Sequence, residues 1–399
     1  MIATLQIPTE LQLSARVVQT SGELRNLGPD WRDLFRRAHC DNIFLSYEWL
    51  SEWWTHLGQK QNLFVVTVRD KGGRLVALAP LCIFLERGPL HIRRLGFLGS
   101  TLVGSDHLDF LVDAADLPAA LDSLCDFLFR CRSEWDFIGL SDSCVGSVGL
   151  TRFQERMKAG GMTACSVRSS LCPYFRLPRS TEEYWANLRP RLRKNLRYHA
   201  RSLEREGHIE FVTVDGAQEI EGALEDLRRL HEARFAQRNR RSAFLDSKVT
   251  EFHRGALRAL SAAGRAHIHF LELNGKRIAA LYGFSTGTRY FYYQSGADPA
   301  FGRFSVGTLL ISFAIQAAIR TGHTEFDFLR GDETYKQLWA SDTRQLCNAS
   351  FFDQRSRSRI AQVRQQIQQS LHFCKSGLRR SMGSFFQSPG VTDGQSQTI

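Results

Sequence analysis

The segment Glu325–Trp339, EFDFLRGDETYKQLW, holds three side chains with chemistry to offer. Asp327 alternates with the apolar Phe326 and Phe328, so it is expected to turn away from one buried face and into a cleft. Gly331 permits a tight exit from a strand, and Asp332 can cap a short helix that carries Tyr335 and Lys336. Tyr335 lies one helical turn beyond Gly331, where its phenol can protonate a leaving group; Lys336 can hold an anion. A core aspartate, a packing tyrosine and a solvated lysine fit the same spacing.

Just upstream, the buried aromatic run Thr288–Gly296 leads through Ala297–Gly307, ADPAFGRFSVG, into a long apolar helix starting near Ser305. A glycine-bearing loop that feeds a helix N-terminus offers unpaired N–H groups and a positive dipole end to phosphate. Gly302 and Gly307 give the loop its room, Ser305 can cap the helix, and Arg303 can add a charge-assisted contact. An ordinary strand-to-helix turn fits too. Arg189, Arg193, Arg197, Arg201 and Arg205 recur every four residues beside Leu192, Leu196 and Leu203, with Pro190 and Gly207 marking the two ends. In-register arginines repel one another unless anions face them, which makes Arg193 and Arg197 candidates for phosphate; a solvated helix face is the alternative.

The first half is poorer. Its equivalent of the phosphate loop, Leu111–Leu117 (LVDAADL), has no glycine and is acidic, which repels a pyrophosphate. Its expected role is therefore to support the fold and a substrate cleft. Asn42–Trp54 and Gly104–Phe110 are aromatic and acidic enough to line one, with Glu48, Trp49, His107 and Asp109 as candidates. His107 and Asp109 would share a strand face as a dyad, or simply be two solvated polar residues. The chain lacks GxxxxGK[ST], GxGxxG after a strand, HExxH and GxSxG, so nucleotide hydrolysis, dehydrogenase, zinc peptidase and esterase chemistry lose their usual support.

These pieces must be positioned by a chain of 399 residues, 43% hydrophobic and 23% charged, which suits a folded protein of two or three domains. The net charge of +11 suits a polyanionic partner: a phosphorylated cofactor, nucleic acid or an anionic membrane. Nine cysteines without CxxC spacing fit a reducing cytosol better than a disulfide framework or a zinc site, and no metal is expected. No basic-then-apolar leader is present, nor a run approaching the roughly 18 apolar residues of a membrane helix, so a soluble, cytoplasmic protein is expected.

The chain also repeats itself. Phe64–Leu81 and His269–Phe284 both read as a hairpin, the second turning at Asn274-Gly275. Leu117–Cys131 and Val306–Thr321 both read as helices running into strands, Trp135–Gly139 and Phe326–Arg330. The expected division is a first half over 1–165, a join near 166–182, a second half over 175–352, a basic amphipathic helix over 354–385 and a disordered tail over 386–399.

Five pieces in order, LRPRLRKNLRYHARSLEREG, LHEARF (Leu230–Phe235), NGKRIAALYGF, FGRFSVGTLL and FDFLRGDETYKQLW, resemble the BioF2-like (CelD-like, cellulose-biosynthesis) acyltransferases of the GNAT superfamily. The resemblance covers about 175–352, and more loosely the first half through FLSYEWLSEWW. It implies an α/β (α+β) chain of two tandem GNAT-like domains, with mixed sheets flanked by helices, a degenerate cofactor loop in the first half and a C-terminal helical tail. It also implies acyl-CoA as donor, with its pyrophosphate on Gly302, Arg303, Ser305, Val306 and Gly307. Tyr335 would protonate the departing thiolate, Asp327 orient or deprotonate the acceptor amine, and Arg234 bind a substrate anion. The expected product is an acylated amine or hydroxyl of a sugar, polysaccharide precursor or envelope component. The related FemABX-like peptidyltransferases take their acyl group from aminoacyl-tRNA, which the arginine stripe would suit. A non-catalytic assembly factor, resting on the inner membrane face through 354–385, is the third reading.

Overall fold

Asn274 and Gly275 take φ of 50° and 76°, the left-handed pair that a two-residue hairpin with the right strand twist requires. The hairpin they close belongs to the second of two similarly ordered halves. The computed structural model describes residues 13–367 except 87, 89, 101, 102, 217 and 238; the rest of the expected tail, through 399, lies outside the described residues.

The first half runs β1 (Ser14–Val18), α1 (Ser21–Asn26), α2 (Gly28–Arg37), α3 (Tyr47–His56), β2 (Asn62–Leu63), β3 (Val65–Arg69), β4 (Leu75–Ala79), β5 (Leu81–Leu85), β6 (Arg93–Phe97), β7 (Leu111–Val112), α4 (Leu117–Arg130), β8 (Phe137–Cys144), α5 (Val148–Ala159) and β9 (Thr163–Arg176). The second runs α6 (Thr181–Asn187), α7 (Pro190–Glu204), β10 (Ile209–Val214), α8 (Ile220–Gln237), α9 (Ser247–Ala262), β11 (Ala266–Leu273), β12 (Lys276–Thr286), β13 (Arg289–Ala297), α10 (Val306–Arg320), β14 (Glu325–Asp327) and β15 (Asp342–Phe352). The correspondence read from the sequence is visible here: β3–β4 matches β11–β12 as an antiparallel pair, and α4–β8 matches α10–β14. Each half also holds a parallel pair, β6 with β8 and β13 with β14.

Eleven strands form one sheet, in the order β10-β11-β12-β13-β14-β9-β15-β8-β6-β5-β2, and β1-β3-β4-β7 form a second. The halves exchange their last strands: β9 from the first pairs with β14 of the second, while β15 from the second pairs with β8 of the first. Residues 163–176, which overlap the join expected near 166–182, are therefore a 14-residue strand at the centre of the sheet. Its Cys172, Pro173 and Tyr174 sit in the ladder with Arg344, Thr343 and Asp342. Neither half can complete its sheet without the other.

The core spans the seam as well. Trp49 of α3 is fully buried against Phe252 of α9 and Phe284 of β12, with ring centroids 4.7 and 5.3 Å apart. A helix over 356–367 tucks Ala361 against Ile92, Phe137 and Phe352, and leaves Ile360, Val363 and Ile367 exposed. Among the described residues no helix is long and apolar enough to cross a membrane.

Candidate active site

β13 and β14 pair over only three residues, Arg289–Phe291 with Glu325–Asp327, and then part. The register between β12 and β13 shifts at Tyr282/Gly283, leaving Tyr293 as an extra residue that bends β13 away from its neighbour. The wedge opens into a cavity of about 310 Å³, lined on β13 by Tyr292, Tyr293, Gln294 and Ser295. Four consecutive residues of one strand reach it because the bulge re-aims them. A Cβ on Gly296 would come within 2.3 Å of the backbone of α8, so glycine there lets α8 lie close over β13. That packing brings Arg234 down to donate to the Ser295 carbonyl at 3.2 Å.

Tyr335 and Lys336 line the cavity, as does Arg234. The Tyr335 hydroxyl donates to Tyr292 Oη at 3.3 Å, and Tyr292 Oη lies 2.6 Å from Ser295 Oγ. Burial, with the Tyr292 phenol beside it, raises the Tyr335 pKa far above the ordinary tyrosine value, so the phenol keeps its proton. Lys336 is not the free cation expected. It is 3% exposed and donates to the carbonyls of Leu329 (3.3 Å) and Arg330 (2.6 Å) and to the Glu333 carboxylate (2.9 Å). With Leu329 at φ 56° and Gly331 at φ 117°, it clamps a strained turn that presents Tyr335. Lys336→Met should lower stability by about 1–3 kcal/mol by stranding those acceptors, read as a lower urea midpoint.

Asp327 does not face the cleft. It is fully buried, 3.0 Å from His107 Nε2 and 3.3 Å from Arg344 Nη1, and accepts the Leu329 N–H at 2.8 Å. Alternation correctly separated it from Phe326 and Phe328, but on the face it turns to it meets His107 of the first half and the Arg344 side chain of β15. Burial works against its charge, yet His107 and Arg344 outweigh that and lower its pKa. Burial likewise opposes a charge on His107, and the Asp327 carboxylate raises its pKa well above the usual histidine range.

The first half reaches the cavity through Val103, Gly104 and Asp106, not through Glu48 or Trp49. Trp49 is core and donates from Nε1 to Ser105 Oγ at 2.9 Å, while Glu48 is buried against Arg32 at 2.5 Å. His107 and Asp109 do not share a face, because His107 at φ 58° breaks the extended run; Asp109 accepts the Phe110 N–H at 2.8 Å and lies 3.8 Å from His39. Arg240 and His253 were missed. Burial pushes the His253 pKa down to about 3, so its ring is neutral, and its Nδ1 finds no partner among the described residues. Sequence carried no signal for it beyond a helical spacing that equally marks core.

A second cavity, about 420 Å³, lies at the N-terminus of α10, lined by Arg189, Arg191, Asn195, His199, Ser305 and Thr308 among others. The first helical bonds are made by Thr308 and Leu309, both to Ser305, so the N–H groups of Val306 and Gly307 open the helix. Val306 is buried in the core and a Cβ on Gly307 or Gly302 would meet nothing within 4 Å, so the first turn is open to an anion. Ser305 does not cap: at φ 51° its side chain instead lies 3.3 Å from His199 Nε2. Arg303 is 70% exposed and pairs with Glu206 at 3.1 Å. Arg193 and Arg197 face Trp185, one donating to its carbonyl at 3.2 Å and the other 6.0 Å above its ring. The face of α7 that meets α10 carries Arg191, Asn195 and His199 instead. The turn Lys336–Leu338 separates the two cavities, with Leu338 on the α10 side. Among the described residues no group of three or more His, Cys, Asp or Glu side chains is placed to hold a metal ion.

Residues 190–337 match the family described as Acetyltransferase (GNAT) domain. Among solved structures the chain is similar to FemX, at 12% identity over 84% of this chain and 96% of that one, with a TM-score of 0.58. It is also similar to the C-terminal domain of a putative lysylphosphatidylglycerol synthetase from Agrobacterium fabrum, at 11% identity over 83% and 92%, with a TM-score of 0.51. A tandem GNAT protein from the clavulanic acid biosynthesis pathway aligns at 13% identity over 85% and 98%, with a TM-score of 0.45. No curated protein sequence matches. Residues 190–337 of the second half thus match a GNAT acetyltransferase domain, and the chain shares its fold with FemX, its two halves completing one another's sheets.

Proposed function

We propose that the chain is an acyltransferase that moves an acyl group from acyl-CoA to an amine of a sugar, polysaccharide precursor or envelope component. The observation that carries this reading is the pairing of two cavities across one short turn: an anion-ready helix start on one side and a protonated, half-buried tyrosine on the other. The α10 N-terminus with Arg189, Arg191 and His199 takes the donor diphosphate. The thioester then lies along the wedge between β13 and β14. The acceptor nitrogen attacks the thioester carbon, the C–N bond forms as the C–S bond breaks, Tyr335 Oη gives its proton to the leaving sulfur, and the proton shed by the nitrogen passes through solvent to restore the phenol. Glu333, with its side chain 53% exposed at the cavity wall, attracts the amine end, and Arg234 and Arg240 hold an anionic group on the acceptor. Asp327 acts from behind the wall by fixing the strand end, in place of the direct contact expected from sequence.

Calorimetry against acetyl-CoA, a longer acyl-CoA and bulk tRNA tests the donor. Saturable CoA binding is expected, weakened about tenfold in Gly307→Asp, equivalent to about 1.4 kcal/mol. An aspartate in the first turn favours the helix itself, so the loss would not come from unfolding. The exposed arginine face of α7 and the net charge of +11 favour aminoacyl-tRNA as the second reading. Salt-sensitive tRNA binding without CoA binding would establish it.

A further inference from the structure

A chain of three side chains crosses the seam between the halves outside both cavities. Cys144 Sγ, at the end of β8, lies 2.9 Å from His107 Nδ1, and His107 Nε2 lies 3.0 Å from Asp327 Oδ2. An ionised carboxylate only accepts, so Nε2 carries a proton and Nδ1 is left to take one from sulfur. That is the relation of a nucleophile, a base and the group that orients the base. His107 and Asp327 are 7% and 0% exposed, so neither can swing away, whereas Cys144 is part-exposed. After it the chain passes the exposed Val145 and turns at Gly146, φ 77°, into α5, which leaves the sulfur at a strand-to-helix turn. The neighbouring thiols Cys172 and Cys347 are buried in β9 and β15.

We infer that Cys144 is an activated nucleophilic thiol, a covalent modification site for carbon electrophiles, whose acyl-thioester class rests on the donor proposed above. The thiol proton passes to His107 Nδ1, the imidazolium is held by Asp327, and the sulfur attacks the thioester carbonyl carbon. A C–S bond to Cys144 forms as the donor's C–S bond breaks, and the donor sulfur leaves as a thiol with the proton from His107. No oxidant or further reactant is needed. The charged groups around the pair are Asp327 with Arg344, Asp106 and Asp142 with Arg330, and the two buried thiols. Each of these acids has an arginine partner, so the thiolate meets no unpaired negative charge among them.

The test alkylates the full chain with iodoacetamide between pH 6 and 8 and follows each cysteine by peptide mass spectrometry. Cys144 should react at least tenfold faster at pH 7 than the part-exposed Cys131 and Cys165. His107→Gln and Asp327→Asn should bring it down to their level. If either variant unfolds, the buried Cys82 and Cys125 become labelled, and the other variant decides. A small acetyl thioester should then acetylate Cys144 in a hydroxylamine-labile form. Labelling no faster than at Cys131 and Cys165, or unchanged in the folded variants, overturns the inference; alkylation without acetylation overturns its acyl class. Neither readout uses CoA binding, so the donor reading stands or falls separately.

Discussion

Tyr335→Phe lowers kcat by about 10²- to 10³-fold and leaves donor affinity unchanged, the range expected when a positioned proton donor is removed. The substitution deletes one oxygen. The ring keeps its place beside Tyr292, 6.3 Å between centroids, and Tyr292 keeps its 2.6 Å bond to Ser295. A packing tyrosine would lose little activity, so the size of the drop separates the two readings. Steady-state kinetics beside calorimetry measures it. An unchanged kcat would mean that the proton reaches the leaving group from elsewhere, and the assignment of this cavity to chemistry would fall with it.

Asp327→Ala destabilises the fold by about 3–5 kcal/mol, the loss typical when one partner of a buried ion pair is removed. It strands His107 at the seam and takes from Arg344 one of its two carboxylates, the other being Glu325 at 2.5 Å. Urea unfolding at pH 7 gives the number. The pH dependence has a definite sign. Asp327 is lowered, so its contribution is present above the ordinary aspartate pKa and is lost as pH falls through the depressed value. His107 is raised, so its contribution is full below the ordinary histidine pKa and is lost as pH rises through the folded value, on the alkaline side of neutrality. The wild-type chain should therefore lose stability into the alkaline range, and Asp327→Asn should flatten that loss. Parallel curves would show that the pair is not charged in the folded protein.

The duplicated order, the hairpin at Asn274-Gly275 and the helix start after Ser305 were legible because each depends on neighbours in sequence: a turn needing two positive φ values, or an apolar run of helical spacing. Tyr335 was legible only as a phenol shortly after a strand end: the helical turn expected between Gly331 and Tyr335 is absent, and residues 331–333 run irregularly before the turn Lys336–Leu338. Lys336 was misread because its partners are carbonyls, which every residue carries and no pattern marks. The dyad of His107 and Asp109 failed because side-chain alternation holds only in an extended strand, and His107 leaves that conformation.

What the sequence by itself determined is the local grammar: two similar halves, the elements of each, the acidic loop of the first and the open helix start of the second. What only the tertiary structure decided is which groups from distant segments meet. His107 finds Asp327 across 220 positions, Val103 and Asp106 enter the wall of the other half's cavity, and Arg191 and His199, not Arg193 and Arg197, line the cavity at the start of α10. For the contacts that cross between the halves, the cause is the exchange of β9 and β15. A strand's hydrophobic pattern says that it will be covered but not by which neighbour, and a crossing strand changes the neighbours of every residue beside it.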